Sequence, residues 1–167
     1  LSHDGSHLAL VHRGKTYIMG NWEGPVLELG AQNGVRRRSA CWLPDGERVV
    51  LVSDEGGEDH LEVHRMVQDG ADVAPPRSYA ELDLGRPRWI KVSPCKDEIL
   101  LTNHRQQLIW VDLETAEVKV IEESRHGPIA GYDWSPDGRW VAYSSAINRL
   151  VRIIKVWDRE TGDVHPA

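Results

Sequence analysis

Ser135-Pro136-Asp137-Gly138 stands directly ahead of the run Arg139-Trp140-Val141-Ala142-Tyr143, and the same arrangement occurs three more times in the chain. Ser2-His3-Asp4-Gly5, Leu43-Pro44-Asp45-Gly46 and Ser93-Pro94-Cys95-Lys96 each precede an apolar stretch. In the fullest copies Pro presets φ for a tight turn, Asp hydrogen-bonds the local backbone, and Gly accepts positive φ. Aligned on their third positions (Asp4, Asp45, Cys95, Asp137), the copies lie 41, 50 and 42 residues apart. Self-similarity at that period is the signature of propeller blades, each a four-stranded sheet. The fold class read here is therefore all-β: a β-propeller, with about four consecutive four-stranded blades forming part of a larger propeller.

The second repeat shows the internal pattern best. Arg36–Trp42 reads as a first strand, and Arg48–Val52 as a second, apolar at nearly every position because neighbours cover both faces. Leu61–Met66 alternates as a third, and Tyr79–Leu84 makes a fourth. The first repeat continues from its turn as Leu8–Val11, Thr16–Met19 and Val26–Leu29. The third runs Trp89–Val92, Ile99–Thr102, Leu108–Val111 and Val118–Ile121; the fourth runs Ile129–Trp134, Trp140–Ser144 and Ile153–Trp157, with a last strand starting near Asp163. The blades are placed at about residues 1–30, 31–85, 86–126 and 127–167 of one partial propeller.

A second hairpin signature supports the alignment. Asp112-Leu113-Glu114-Thr115-Ala116 in the third repeat corresponds to Asp158-Arg159-Glu160-Thr161-Gly162 in the fourth, 46 residues later. The first turns of these two blades are 42 residues apart, which places a four-residue insertion near Ala146–Arg152. The chain opens at a first turn, without an innermost strand, and closes within an outermost one. Closed propellers complete such blades, so the segment reads as an arc of a larger ring, and its open blade edges invite self-association.

Composition narrows the partners. A formal net charge of -6 argues against nucleic acid, which needs a basic face to displace counterions. No apolar stretch approaches the ~20 residues that span a bilayer, and no charged-then-apolar leader opens the chain. Neither a membrane partner nor export is expected, and a cytoplasmic setting follows. Cys41 and Cys95 have no zinc-type spacing and are expected to be reduced, mostly buried thiols.

Catalytic motifs are missing. Nucleophile elbows, P-loops and dinucleotide fingerprints do not occur, so no catalytic residue, metal or cofactor is assigned to the segment. His60-Leu61-Glu62-Val63-His64 looks like a metal motif, but on a strand residues four apart stand roughly 13 Å from each other. Leu61 and Val63 supply the buried face in this reading, which leaves His60, Glu62 and His64 solvated. The acidic run Asp54–Asp59 and the longer stretch Gln68–Ser78 read as solvated connections.

The basic residues at first strands carry more. Arg36, Arg37 and Arg38 begin the second blade, and Arg86 and Arg88 begin the third. First strands line a propeller's channel, and guanidinium forks match carboxylates, so Arg36, Arg38, Arg86 and Arg88 are candidates for guiding carboxylate-bearing peptides. The competing reading is that they pair locally with Asp or Glu at the entrance of each blade.

Several stretches go beyond a generic propeller: Arg38-Ser39-Ala40-Cys41-Trp42-Leu43-Pro44-Asp45-Gly46, Val120-Ile121-Glu122-Glu123-Ser124-Arg125, Trp134-Ser135-Pro136-Asp137-Gly138 and Ile154-Lys155-Val156-Trp157-Asp158. In this order they resemble the propeller region of tricorn-type proteases, in particular the second, larger propeller, across nearly the whole chain. The resemblance implies a cytoplasmic serine peptidase that trims oligopeptides, with propellers acting as filters or conduits to a separate hydrolase core. The corresponding expectation is a non-catalytic propeller segment that gates or guides oligopeptides or meets other protein domains. The alternative is a stand-alone, WD-like interaction scaffold. Cys95-Lys96 departs from the Asp-Gly turn without displacing the blade.

Overall fold

The computed structural model describes residues 1–30, 34–66 and 75–167, and every element among them is a strand or a turn. The chain divides into two compact units, Leu1–Asp83 and Leu84–Ala167. No helix among the described residues is long and apolar enough to cross a membrane.

The first unit holds two antiparallel sheets. One is β1 (His7–His12), β2 (Lys15–Gly20) and β3 (Leu27–Leu29); the other is β4 (Arg37–Trp42), β5 (Arg48–Ser53), β6 (His60–Arg65) and β7 (Arg77–Ser78), each paired in chain order. The Pro44-Asp45-Gly46 turn does what its residues dictate. Gly46, at φ 70, donates its N–H to Leu43 O, and Asp45 Oδ1 accepts from the amides of Glu47 and Arg48. Ile18, Leu29, Trp42, Val49 and Leu51 form the core between the two sheets.

The second unit repeats the plan with β8 (Pro87–Val92), β9 (Glu98–Asn103), β10 (Gln107–Asp112) and β11 (Val118–Glu123), then β12 (Ala130–Trp134), β13 (Trp140–Ala146), β14 (Arg152–Asp158) and β15 (Val164–Pro166). Its core is larger and richer in aromatic rings, with Trp110, Tyr132, Tyr143 and Trp157 packed on Leu100, Leu108, Ile129 and Val141. Cys95-Lys96 does alter the third turn, where Glu98 N bonds Lys96 O, yet β8 and β9 pair as in the other blades. The inserted residues lengthen β13 and β14 to seven residues each, against six in β9 and β10, and enlarge the connecting loop at 147–151.

Three local expectations are corrected. Tyr79–Leu84 is not a strand: the Tyr79 amide still bonds Leu61 O, but Leu82 N then turns back to Tyr79 O. Tyr79 and Leu84 are buried as anchors of the turn. The strand itself is β7, inside the stretch read as a connection; residues 68–74 of that stretch lie outside the described residues, as does the Val67 that precedes it. The thiols are not buried either: Cys95 is exposed and Cys41 half-buried, and neither forms a disulfide.

The third correction concerns β6. His60, Glu62 and His64 are all buried, together with Leu61 and Val63 on the opposite face. Where both faces of a strand are covered by packing above and below its sheet, the polar residues among them must satisfy each other.

Candidate functional site: the first strands and their arginines

Each first strand of a four-stranded sheet is interrupted. Pairing shifts register between Arg38 and Cys41 in β4, between Pro87 and Trp89 in β8, and between Ala130 and Asp133 in β12. Ser39 and Gly131 take positive φ at these points, at 56° and 60°. Such bulges kink the strand and redirect the side chains around them. The arginines lie at or beside these irregular points.

In the first unit the three arginines meet the acidic loop between β5 and β6. Arg36 pairs with Asp54 at 3.5 Å, Arg37 with Glu55 at 3.1 Å, and Arg38 with Asp59 at 2.7 Å. The Arg36 amide also donates to Asp54 Oδ1. Asp54–Asp59 is therefore a counter-charge to Arg36–Arg38 and only Gly56, Gly57 and Glu58 at its tip are exposed. No cluster of three or more His, Cys, Asp or Glu side chains able to hold a metal ion occurs among the described residues.

Arg37 reaches furthest inward. Its Nη1 donates to Gly30 O at 2.7 Å and its amide to Gly14 O, both in the neighbouring blade, while Nε meets Glu62 at 3.3 Å. Glu62 also lies 2.7 Å from His64 Nε2 and 3.4 Å from His60 Nε2. Burial alone raises a carboxyl pKa, but hydrogen bonds from His64 and Ser53 and the charge of Arg37 outweigh it, and Glu62 is held down at about 2. This constellation is a closed polar lock, with its groups turned toward one another. Alternating side chains on a strand gave no hint of it; the signal lay one strand away, in the uniformly apolar Arg48–Val52, whose burial on both faces implies the same for its neighbour.

In the second unit the arginines are differently placed. Arg86 and Arg88 are both exposed, and the backbone of Arg86 is tied to the β9–β10 loop by its amide to His104 Nδ1 at 2.9 Å and by the His104 amide to Arg86 O. Arg88 lines a cleft of about 430 Å³ whose walls come from the beginnings of β8 and β12. Arg36 and Arg38 thus belong to one unit and Arg86 and Arg88 to the other.

The sequence profile described as the tricorn protease second beta propeller domain matches residues 1–167. A tricorn-like protease C-terminal subunit of Sulfurisphaera tokodaii is 36% identical over 150 residues, which is 90% of this chain and 16% of that protein. A tricorn protease homolog of Saccharolobus solfataricus is 31% identical over 153 residues, 92% of this chain and 13% of the relative. In three dimensions the chain superposes on the crystal structure of the tricorn protease with a TM-score of 0.82 at 23% identity, covering 98% of this chain and 16% of that one. The chain thus spans about one sixth of the length of these proteins or less.

Proposed function

Given that the chain belongs to the tricorn protease family, in its second β-propeller domain, we propose that it is a non-catalytic part of one propeller that guides oligopeptides toward a serine-hydrolase core elsewhere in the polypeptide. In this reading both units are parts of one propeller, in the cytoplasm, and the peptides enter by their carboxylate ends. The observation that supports it is the exposure of Arg86 and Arg88 at the start of β8, with Arg88 on the rim of a cleft between two first strands. Guanidinium groups presented to solvent at a concave surface recognise carboxylates by charge-assisted hydrogen bonds. Arg36 and Arg38 meet Asp54 and Asp59 and lie in the other unit, away from this cleft.

The test is peptide binding to the full-length protein, read by fluorescence anisotropy, comparing free and amidated C-termini. Replacing Arg86 and Arg88 by Gln is expected to weaken binding of free-acid peptides about tenfold, the scale of a charged hydrogen bond, and to leave amidated peptides unchanged. Replacing Arg36 and Arg38 should change little. Unchanged affinity after all four replacements removes the conduit role of these residues.

A second reading has its own observation. The enlarged β13–β14 loop holds Leu150 at 95% exposure, with Ile147 and Val151 beside it. Asn148 Oδ1 accepts from the amides of Leu150 and Val151, so the apolar tip is presented in a fixed turn. That is the form of a contact point for another protein domain, as the scaffold reading requires.

A further inference from the structure

The cleft in the second unit has features that a plain gap between blades lacks. Its walls are apolar, from Trp89 and Ile90 on β8 and from Ile129 and Tyr132 at β12. They are also braced: the Tyr132 hydroxyl donates to Trp89 O at 2.7 Å and the Trp134 indole to Lys91 O at 3.3 Å. Trp89 nevertheless leaves 71% of its surface open to solvent. Ligand pockets commonly have volumes of about 300–1,000 Å³, apolar walls and a few fixed polar groups.

Gln106 supplies the fixed polar group. It sits in the β9–β10 loop at φ 61, its amide bonded to Asn103 O, and lines the cleft. Its Oε1 is shut off from solvent and meets no donor among the described residues. Asn103, its polar neighbour, is fully engaged: its Nδ2 donates to Leu84 O and Gln107 Oε1, and its Oδ1 accepts from the amides of Arg105 and Gln107. A secluded acceptor costs stability until an N–H reaches it.

We propose that this cleft is a side-chain subsite for an extended peptide, holding one aliphatic or aromatic residue against Trp89, Ile90, Ile129 and Tyr132 while the Gln106 amide turns outward and its Oε1 accepts the peptide's main-chain N–H. An extended peptide is the occupant that offers all the required chemistry together, since each residue carries an N–H donor beside its side chain. Arg88 on the rim matches a carboxylate at the peptide's C-terminal end, and an apolar residue shortly before that end fills the walls. The inference rests on the peptide-guiding reading and specifies which peptides that path selects.

The experiment uses the full-length protein and two fluorescein-labelled tetrapeptides with free C-termini, identical except for Leu or Ser at the penultimate position. The Leu peptide is expected to bind about tenfold tighter. Ala130→Trp, at an exposed lining position, fills the cleft and should bring the Leu peptide down to the Ser level. Gln106→Leu keeps the side-chain shape, removes the acceptor, and should weaken both peptides about fivefold without altering their ratio. Equal affinities for Leu and Ser that neither variant changes, but that Arg86→Gln and Arg88→Gln do, overturn the subsite and leave the guiding role standing. Absence of binding by either peptide overturns both. Hydrogen exchange of β8 and β12 in each variant checks that the blades remain folded, and Ala130→Leu serves as a smaller filling variant if Ala130→Trp does not fold.

Discussion

The two units join their blades by different means. In Leu1–Asp83 the seam is an apolar cluster around Trp42 plus one buried arginine, Arg37, whose contacts across the seam are to backbone oxygens of Gly14 and Gly30. Its charge is answered inside its own blade by Glu55 and Glu62. In Leu84–Ala167 the charges themselves cross the seam. Glu98 of β9 receives Arg159 and the Trp110 indole, and Glu122 of β11 receives Lys155, Tyr143 and Ser145. Trp110 and Trp157 pack at 6.2 Å between them. The same repeat therefore supports two kinds of joint: one in which polar groups rigidify a blade, and one in which they tie neighbours together.

The difference is breakable. Trp157→Ala in the second unit should have the largest effect, costing about 3–5 kcal/mol, because it empties the centre of an aromatic core. Hydrogen exchange should show β10, β11, β13 and β14 loosening together while β5 and β6 keep their protection. Glu62→Gln should cost on the order of 3 kcal/mol and stay local, since it removes the more deeply buried of the carboxylates that Arg37 meets. Exchange should rise in β4–β6, and equal loosening of both units would refute the contrast drawn here.

Acid probes the same lock. Glu62 is held at about 2 against an ordinary 4.5, so its contribution is fully present above pH 4.5 and is lost as pH falls toward 2. Protection of β6, referred to the intrinsic exchange rate at each pH between 5 and 2.5, should fall more steeply in the native chain than in the Glu62→Gln variant. Among the smaller effects, Glu98→Gln should cost about 2 kcal/mol, weakening the bonds from Arg159 and the Trp110 indole, and should loosen β9 and β14 together. Lys91→Ala, which removes a pair with Asp133 whose partners are 49% and 68% exposed, should change stability by less than about 0.5 kcal/mol.

Much of the architecture was legible because turns and apolar runs are local. Pro-Asp-Gly encodes its own geometry, and Asp158–Gly162 marks its hairpin without reference to distant residues. What escaped the sequence depends on the third dimension. His60, Glu62 and His64 alternate with Leu61 and Val63 just as a solvated face would, and only the covering of both faces of β6 separates the two cases. Tyr79, Leu82 and Leu84 are as dense in apolar residues as a strand, yet Leu82 N turns back to Tyr79 O. Local pairing of the arginines is one of the readings the sequence offers, but that Arg36 and Arg38 meet Asp54 and Asp59 depends on the β5–β6 connection folding back on β4. Gln106 carried no signal at all, since an amide in a polar loop gives no sign that its oxygen will be enclosed.

The register shifts in the first strands have a further consequence, in protection against misassembly. A sheet edge recruits another chain only where it offers an unbroken row of unpaired amides and carbonyls. In β4, β8 and β12 a bulge breaks that row, and β11 is broken in the same way opposite Leu108 and Ile109. The outer strands β3 and β7 are three and two residues long, too short to template a partner.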